Sequence, residues 1–371
     1  MIKGIIERPY WAGKIYFSSY GIAWFDLETL INIIRYIYQS ESITVDDLDN
    51  ILPSISRHKF AKTRREGSFF IRLLWHLGLL VSKDIKGKRS YVLSSYGKYV
   101  VQRVSNSSRD IWPDIIRDVF VKWYPLLVFL RYIGIKGIAS VSDITNDLGG
   151  LMKKWTRILY HIGVTEGIMR RRSVAKPYND FVVRNFFIPL AKQLDLLIIH
   201  KGKYMLSSKG KEVLSRYNNL IEDADIIRTM PGDYTIYAGI VDVLYDAKEP
   251  VLVSPWINGL LTKLVLRTLS INKRIEAIHI IVRNDKRNRI HLRELLKKIK
   301  SIDVYIHVYD RLHAKIAMSI EGPALESSAN IMESSLKRNY EVGTYYKKAP
   351  FNLALAVEEL LSISKRLYIE V

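Results

Sequence analysis

The chain contains no cysteine. Disulfides and thiolate metal sites are therefore excluded, and nothing in the composition calls for an oxidising compartment. Proline (11) and glycine (20) are sparse in 371 residues and never gather into a linker. No segment is of low complexity. Long apolar runs are missing too: "YPLLVFLRYIG" is too short to cross a bilayer, and the opening "MIKGIIERPYWAGKIYF" lacks the apolar core of a secretory leader. The expectation is a soluble, cytoplasmic protein with no membrane partner. What remains is globular in composition, 48% hydrophobic and 25% charged, with length enough for two or three domains. Abundant Ile, Lys and Tyr without Cys suits a thermophile.

Charge of one sign is in excess. Lys and Arg number 57 against 37 Asp and Glu, a net +20. Residues 1–230 hold 36 basic against 21 acidic residues, and residues 231–371 hold 21 against 16. A surplus of this size attracts polyanions, either nucleic acid or an anionic membrane face. A solvated basic surface is the plainer alternative.

The first two-thirds of the chain repeats itself. "FFIRLLWHLGLL" (69–80) recurs as "FFIPLAKQLDLL" (186–197), and "YVLSSYGKYVVQR" (91–103) recurs as "YMLSSKGKEVLSR" (204–216). Each copy predicts a short amphipathic helix, an apolar helix, a strand, a basic Gly-containing turn, a strand and a closing helix. In the first copy the hairpin is expected at Leu80–Lys83 and Ser90–Leu93 around Gly87, with Ser95 or its neighbour capping the closing helix. Both halves resemble the winged-helix superfamily, whose second helix commonly enters a DNA groove while the wing touches phosphate. Basic segments precede both Phe-Phe helices: Arg57, Lys59, Lys62, Arg64 and Arg65 in one copy, Arg170, Arg171, Arg172 and Lys176 in the other. Lys86 and Lys88, then Lys201 and Lys203, mark the hairpin tips. These thirteen residues are the candidate nucleic-acid contacts, although winged helices also serve as dimerisation or docking modules.

From about residue 232 the pattern becomes alternating strands and helices, an α/β arrangement whose functional groups gather at strand ends. Within it, "RLHAKIAMSIEGPALESSAN" carries His313 and Lys315 two residues apart and a Ser-Ser-Ala-Asn cluster further on. An H-x-K pair alone arises by chance roughly once in every two such chains. Here it stands in a longer pattern. His313, Lys315, Ser328 and Asn330 fit H-x-K-x4-D-x6-G-S-x-N without a gap, and "NYEVG" follows with Glu341. Residues 232–371 thus resemble one catalytic half of the phospholipase D superfamily, and "VSPWI" resembles the first strand and loop of such domains. Two positions depart from the pattern: Ile320 stands at its Asp, with Glu321 next, and Ser327 stands at its Gly.

The resemblance implies a chain of several domains: winged helices of α+β type at 1–110 and 111–228, then an α/β phospholipase D-like catalytic domain at 229–371. It implies a phosphodiesterase that needs neither metal nor cofactor. Imidazole is a competent nucleophile and proton carrier near neutral pH, so His313 would form a phosphohistidine. Lys315, Ser328 and Asn330 would bind the non-bridging oxygens, and Glu341 would hold the other ring nitrogen and fix its tautomer. The family mechanism uses two His. His58, His76, His161, His200, His279, His291 and His307 all lack the Lys spacing, so a homodimer through the C-terminal domain is expected. The substrate class is DNA or RNA, with DNA favoured. Two other readings stay open. One is a DNA-binding transcription regulator with a non-catalytic sensor domain, as in archaeal sugar-sensing regulators that join the same two folds. The other is a catalytically silent subunit of a defence or repair complex.

Overall fold

A computed structural model of the chain describes residues 8–18, 24–56, 66–85, 87–166, 178–217, 224–230 and 233–369. They form a mixed α/β structure with one large sheet, divided into two compact units. The first takes the described residues from 18 to 153 and from 178 to 217; the second takes 8–17, 154–166 and 224–369. Helix α1 (Pro9–Ser18) belongs almost entirely to the second unit.

In the first unit the chain forms α2 (Leu27–Gln39), α3 (Val45–Ile55), α4 (Gly67–His76), a hairpin of β1 (Leu80–Ile85) and β2 (Lys88–Leu93), and α5 (Ser95–Ser105). After α6 (Trp112–Phe120) the pattern returns as α7 (Tyr124–Lys136), then α8 (Val141–Asp143). A π-helical stretch (Ile144–Leu148) leads from there into α9 (Gly149–Ile162). Next, α10 (Asp180–Val182) passes through a second π-helical stretch (Val183–Phe187) into α11 (Ile188–Gln193). The hairpin of β3 (Leu197–His200) and β4 (Lys203–Leu206) and helix α12 (Ser208–Tyr217) complete the copy.

Local chemistry is repeated along with the elements. Thr44 and Asp47 make a reciprocal capping box, as do Ser140 and Asp143. A single bridge adds a third short segment to each hairpin, Ile43 to Tyr91 and Ala139 to Tyr204. Ser94 and Ser207 accept from the backbone N–H of Gly97 and Gly210. Those two glycines are required: a Cβ on either would lie 2.2 Å from a carbonyl oxygen, of Leu79 or of Leu196. The hairpin strands are longer than the sequence suggests, because β1 extends to Ile85 and β2 begins at Lys88.

The core of this unit joins the two copies. Phe186 meets Phe69 edge-on at 6.3 Å and Phe25 at 5.6 Å, and Trp123 stacks on Phe187 at 6.0 Å. The Phe25 N–H donates to the Asn185 carbonyl at 2.8 Å. The helix that matches the groove-entering one is α4 in one copy and the Val183–Gln193 run in the other, and each packs its apolar face into this core. Gly67, Phe69, Phe70, Ile71, Leu73 and Leu74 are buried, as are Val183, Phe186, Phe187, Ile188, Leu190 and Ala191. Each helix keeps a polar edge as well: Ser68 on α4 and Arg184 and Lys192 on the second run are exposed.

The second unit is built on β5 (Ala224–Met230), β6 (Asp233–Tyr234), α13 (Thr235–Asp246), β7 (Val251–Val253), α14 (Gly259–Leu269), β8 (Ala277–Val282), α15 (Lys286–Lys298) and β9 (Asp303–Val308). It continues with β10 (Ile316–Met318), β11 (Ala324–Ser327), α16 (Glu333–Lys337), β12 (Glu341–Tyr346), α17 (Phe351–Ile363) and β13 (Lys365–Arg366). The nine strands lie in the order β13-β9-β8-β7-β10-β11-β12-β5-β6. β7, β8 and β9 are parallel, and every other pairing is antiparallel.

Strand side chains alternate between faces. Val251, Val253, Ile281, Met318 and Ala324 share a buried cluster with Leu312 and Val357 of α17. On the other face α13 packs on Ile227, Leu325 and Tyr345. Helix α1 closes part of this unit: Tyr10 stacks on Tyr345 at 4.0 Å and donates to Asp225 at 2.8 Å.

Candidate active site

The parallel strands all deliver their C-terminal ends to one edge of the sheet, the place where α/β proteins assemble functional groups. The loop after β7 holds Ser254, Trp256 and Ile257; Arg283 follows β8; the loop after β9 holds His313 and Lys315. That last loop is fixed rather than free. Leu312 is buried in the core cluster, Arg283 Nε donates to its carbonyl at 2.7 Å, and the Tyr309 N–H donates to Val282 at 3.0 Å. The Arg283 guanidinium also lies 5.5 Å over the Trp256 ring.

His313 and Lys315 precede β10 rather than lying within it. The Ser327 N–H nonetheless donates to the Lys315 carbonyl at 3.0 Å, continuing the β10–β11 pairing by one step. His313 is exposed and Lys315 half-buried, and Lys315 Nζ stands 3.4 Å from His313 Nδ1. An ammonium only donates, so Nδ1 is the acceptor in this contact.

Ser328 and Glu341 are paired across β11 and β12. Ser328 Oγ donates to the Glu341 carboxylate and accepts from the Val342 N–H at 3.1 Å. Asn339 Nδ2 donates to the other carboxylate oxygen at 3.3 Å. Glu341 therefore stands differently from expectation. Among the described residues its partners are Ser328 and Asn339, while the imidazole contacts Lys315. The physical reason is competition: a hydroxyl and an amide beside the carboxylate supply the donors that the ring would otherwise supply.

Asn330 sits in an extended loop, not at a helix start. Helix α16 begins three residues later, with Met332 at its cap. Its neighbour Ile331 is tied to the β7 loop by a bridge to Ile257 and by an N–H bond to Ser254 Oγ at 3.0 Å. The Asn330 side-chain oxygen is buried and has no hydrogen-bond partner among the described residues. A buried acceptor in that state is what a bound donor would satisfy.

The departures from the motif also find a physical account. Ile320 and Glu321 lie in the exposed β10–β11 turn, which Ser319 and Pro323 close by a backbone bond of 3.0 Å. The turn therefore holds its shape without a carboxylate at 320. Ser327 is accommodated by its cross-strand partner, because Gly343 has no Cβ; one built there would lie 2.8 Å from Ser327 Cβ.

Of the thirteen basic candidates, Lys88, Lys201 and Lys203 are exposed on the two hairpins of the first unit. Arg57, Lys59, Lys62, Arg64, Arg65, Lys86, Arg170, Arg171, Arg172 and Lys176 lie outside the described residues. Arg283 and Trp256 were not singled out from the sequence; their signal is position, directly after a buried apolar run that predicts a parallel strand. Among the described residues no group of three or more His, Asp or Glu is placed to hold a metal ion, and no helix is long and apolar enough to cross a membrane.

No protein-family model and no curated protein matches the sequence. Solved structures do. The chain is similar to a phospholipase D family member, Nuc from Salmonella typhimurium, at 10% identity and a TM-score of 0.32, over 39% of this chain and 98% of that one. It is similar to NucT from Helicobacter pylori at 14% identity and a TM-score of 0.30, over 39% and 98%. It is also similar to TrmBL2, an archaeal chromatin protein, at 10% identity and a TM-score of 0.28, over 90% and 91%.

Proposed function

We propose that this chain is a phospholipase D-like phosphodiesterase that cleaves DNA or RNA, with DNA favoured, in the cytoplasm. Its residues 1–110 and 111–228 act as winged-helix modules, and residues 229–371 carry the chemistry. The observation that carries the reading is His313 beside Lys315 on a loop anchored by Leu312 and Arg283, next to the tethered strand of Ser328 and Asn330. In this mechanism His313 attacks phosphorus, an N–P bond forms, and the P–O bond to the leaving oxygen breaks. A second imidazole gives that oxygen its proton, then takes one from the water that hydrolyses the phosphohistidine. Lys315, Ser328 and Asn330 hold the non-bridging oxygens. The second imidazole is His313 of another copy, so the active form is a homodimer through the C-terminal domain.

For Nε2 to attack, Nδ1 must carry the proton and face an acceptor. The resemblance gives that part to Glu341, which must then exchange Ser328 for His313 when substrate arrives. Its engagement with Ser328 is the observation that favours the second reading, a DNA-binding regulator whose phospholipase D-like domain senses a ligand without turnover. A nuclease assay in EDTA on single- and double-stranded DNA and RNA separates the two. Cleavage that survives chelation and disappears in His313→Ala supports the enzyme. Tight binding to one duplex with no cleavage by the unmodified chain supports the regulator.

A further inference from the structure

Apart from the polar edges of α4 and the Val183–Gln193 run, the first unit presents a second surface beside its hairpins. Beside the first hairpin lies an open cavity of about 970 Å³, bounded by the end of α2, both strands and the start of α5. Tyr38 and Tyr96 line it, 45% and 38% exposed, together with Lys83 and Lys98; Glu41 is the one acidic residue in the lining. One turn further along α5, Tyr99 is 53% exposed, with the Arg103 guanidinium 5.8 Å from its ring. Lys88 and Arg89 stand exposed on β2. Tyr38, Tyr96, Lys83 and Lys98 share the groove, while exposed Asp84 stands opposite Arg89 on the hairpin.

The second copy shows that the repeat does not require this. Tyr38 lies five residues before the Ile43 bridge, and the position five before the matching Ala139 bridge is Gly134. Tyr96 corresponds to Lys209 in the repeated "SSYGK" and "SSKGK". The matching cavity, about 900 Å³, is lined by Ile135, Met205, Leu206 and Leu214 with Arg131 and Lys211, and holds no aromatic ring. The same scaffold thus carries rings and cations in one copy and aliphatic side chains in the other.

We infer that the groove formed by Tyr38, Tyr96, Lys83 and Lys98 is a binding site for single-stranded nucleic acid. Bases stack on the tyrosines, and the lysines and Arg103 take the flanking phosphates. Stacking needs a base face, and a duplex keeps its base faces covered by neighbouring pairs; an unpaired strand offers them with its charge alongside. The inference rests on the nucleic-acid reading above and narrows its substrate to unpaired strands.

The test is fluorescence anisotropy with the full-length chain carrying His313→Ala, which keeps the probe intact, on a labelled twenty-nucleotide dT strand and a duplex of the same length. Binding is read without cleavage, so this test and the nuclease reading fail separately. Joint Tyr38→Leu and Tyr96→Leu substitution is expected to weaken single-strand binding about ten- to a hundredfold, while Tyr38→Phe with Tyr96→Phe keeps the parent affinity. Joint Lys83→Ala and Lys98→Ala substitution is expected to make the slope of log K against log salt shallower by about 1.4. Single-strand affinity unchanged in the leucine variant overturns the inference and leaves the groove to another partner. An equal loss on the duplex overturns it as well, because stacking on covered bases is not available there.

Discussion

The two units use their most conspicuous sequence features in opposite ways. In the first, the strongest signal is the doubled Phe-Phe helix, and the structure buries it: Phe186 and Phe187 are fully buried and Phe69 is 8% exposed. In the second, the strongest signal is a spaced set of polar residues, and His313 stands exposed on an anchored loop. The apolar face of such a helix announces packing, while its polar edge stays in solvent. A polar set that spacing alone holds together, on loops at the ends of buried strands, announces chemistry.

The comparison can be broken most sharply at His313. His313→Ala is expected to lower cleavage in EDTA about 10⁴-fold by analogy with removal of other nucleophile–base members, with the melting temperature unchanged. Loss of both together would make the residue structural. Next in size is Phe186→Ala, expected to cost about 3–5 kcal/mol of stability in denaturant unfolding, because a fully buried ring at the centre of the aromatic cluster is removed. Arg184→Ala, exposed on the same helix, is expected to stay within about 0.5 kcal/mol. Similar values for the two would show that this helix is not packed as described. Lys315→Ala is expected to cost about 2.7–4 kcal/mol of transition-state stabilisation, read as kcat at saturating substrate. Wild-type turnover in that variant would remove Lys315 from the phosphate contacts.

A smaller effect distinguishes packing from function inside the second unit. Asp242 is fully buried, and burial pushes its carboxyl up to about 6 despite Arg8 at 3.6 Å and the Tyr345 hydroxyl that donates to it. A folded-state value above the unfolded 3.8 means stability that is fully present below pH 3.8 and is lost as pH rises through 6. His279 and His307 act in the opposite sense. Burial lowers both, so they withdraw stability as pH falls below the ordinary 6.5. The difference between the parent and Asp242→Asn isolates the carboxyl: melting curves are expected to diverge by about 2–3 kcal/mol between pH 4 and 7, with Asn the more favourable at pH 7. Parallel curves would mean that Arg8 neutralises the group in full.

Much of this was legible before any coordinates. The repeat held at the level of helix caps and first-turn glycines, since "SSYGK" and "SSKGK" encode the same cap and the same close approach. Strands β7, β8, β9 and β12 follow from short buried or alternating apolar runs. β5 was missed because "ADIIRTM" carries too few apolar residues to stand out; its partner β12 lies more than a hundred residues away. Nor does sequence order show that α1 packs against Tyr345 and Asp225, since that contact is made by one aromatic stack and a few polar bonds. The site residues were legible as a spacing, but the partner of Glu341 was not. Ser328 and Asn339 both donate to that carboxylate, a pairing that spacing alone does not give.

The central claim is that an imidazole attacks phosphorus here. Incubating the chain with an end-labelled oligonucleotide in EDTA, quenching at alkaline pH and mapping the labelled peptide tests it directly. The account predicts an acid-labile, base-stable adduct on His313 that is missing in His313→Ala. Cleavage without any such adduct, or an adduct on a different residue, would contradict it.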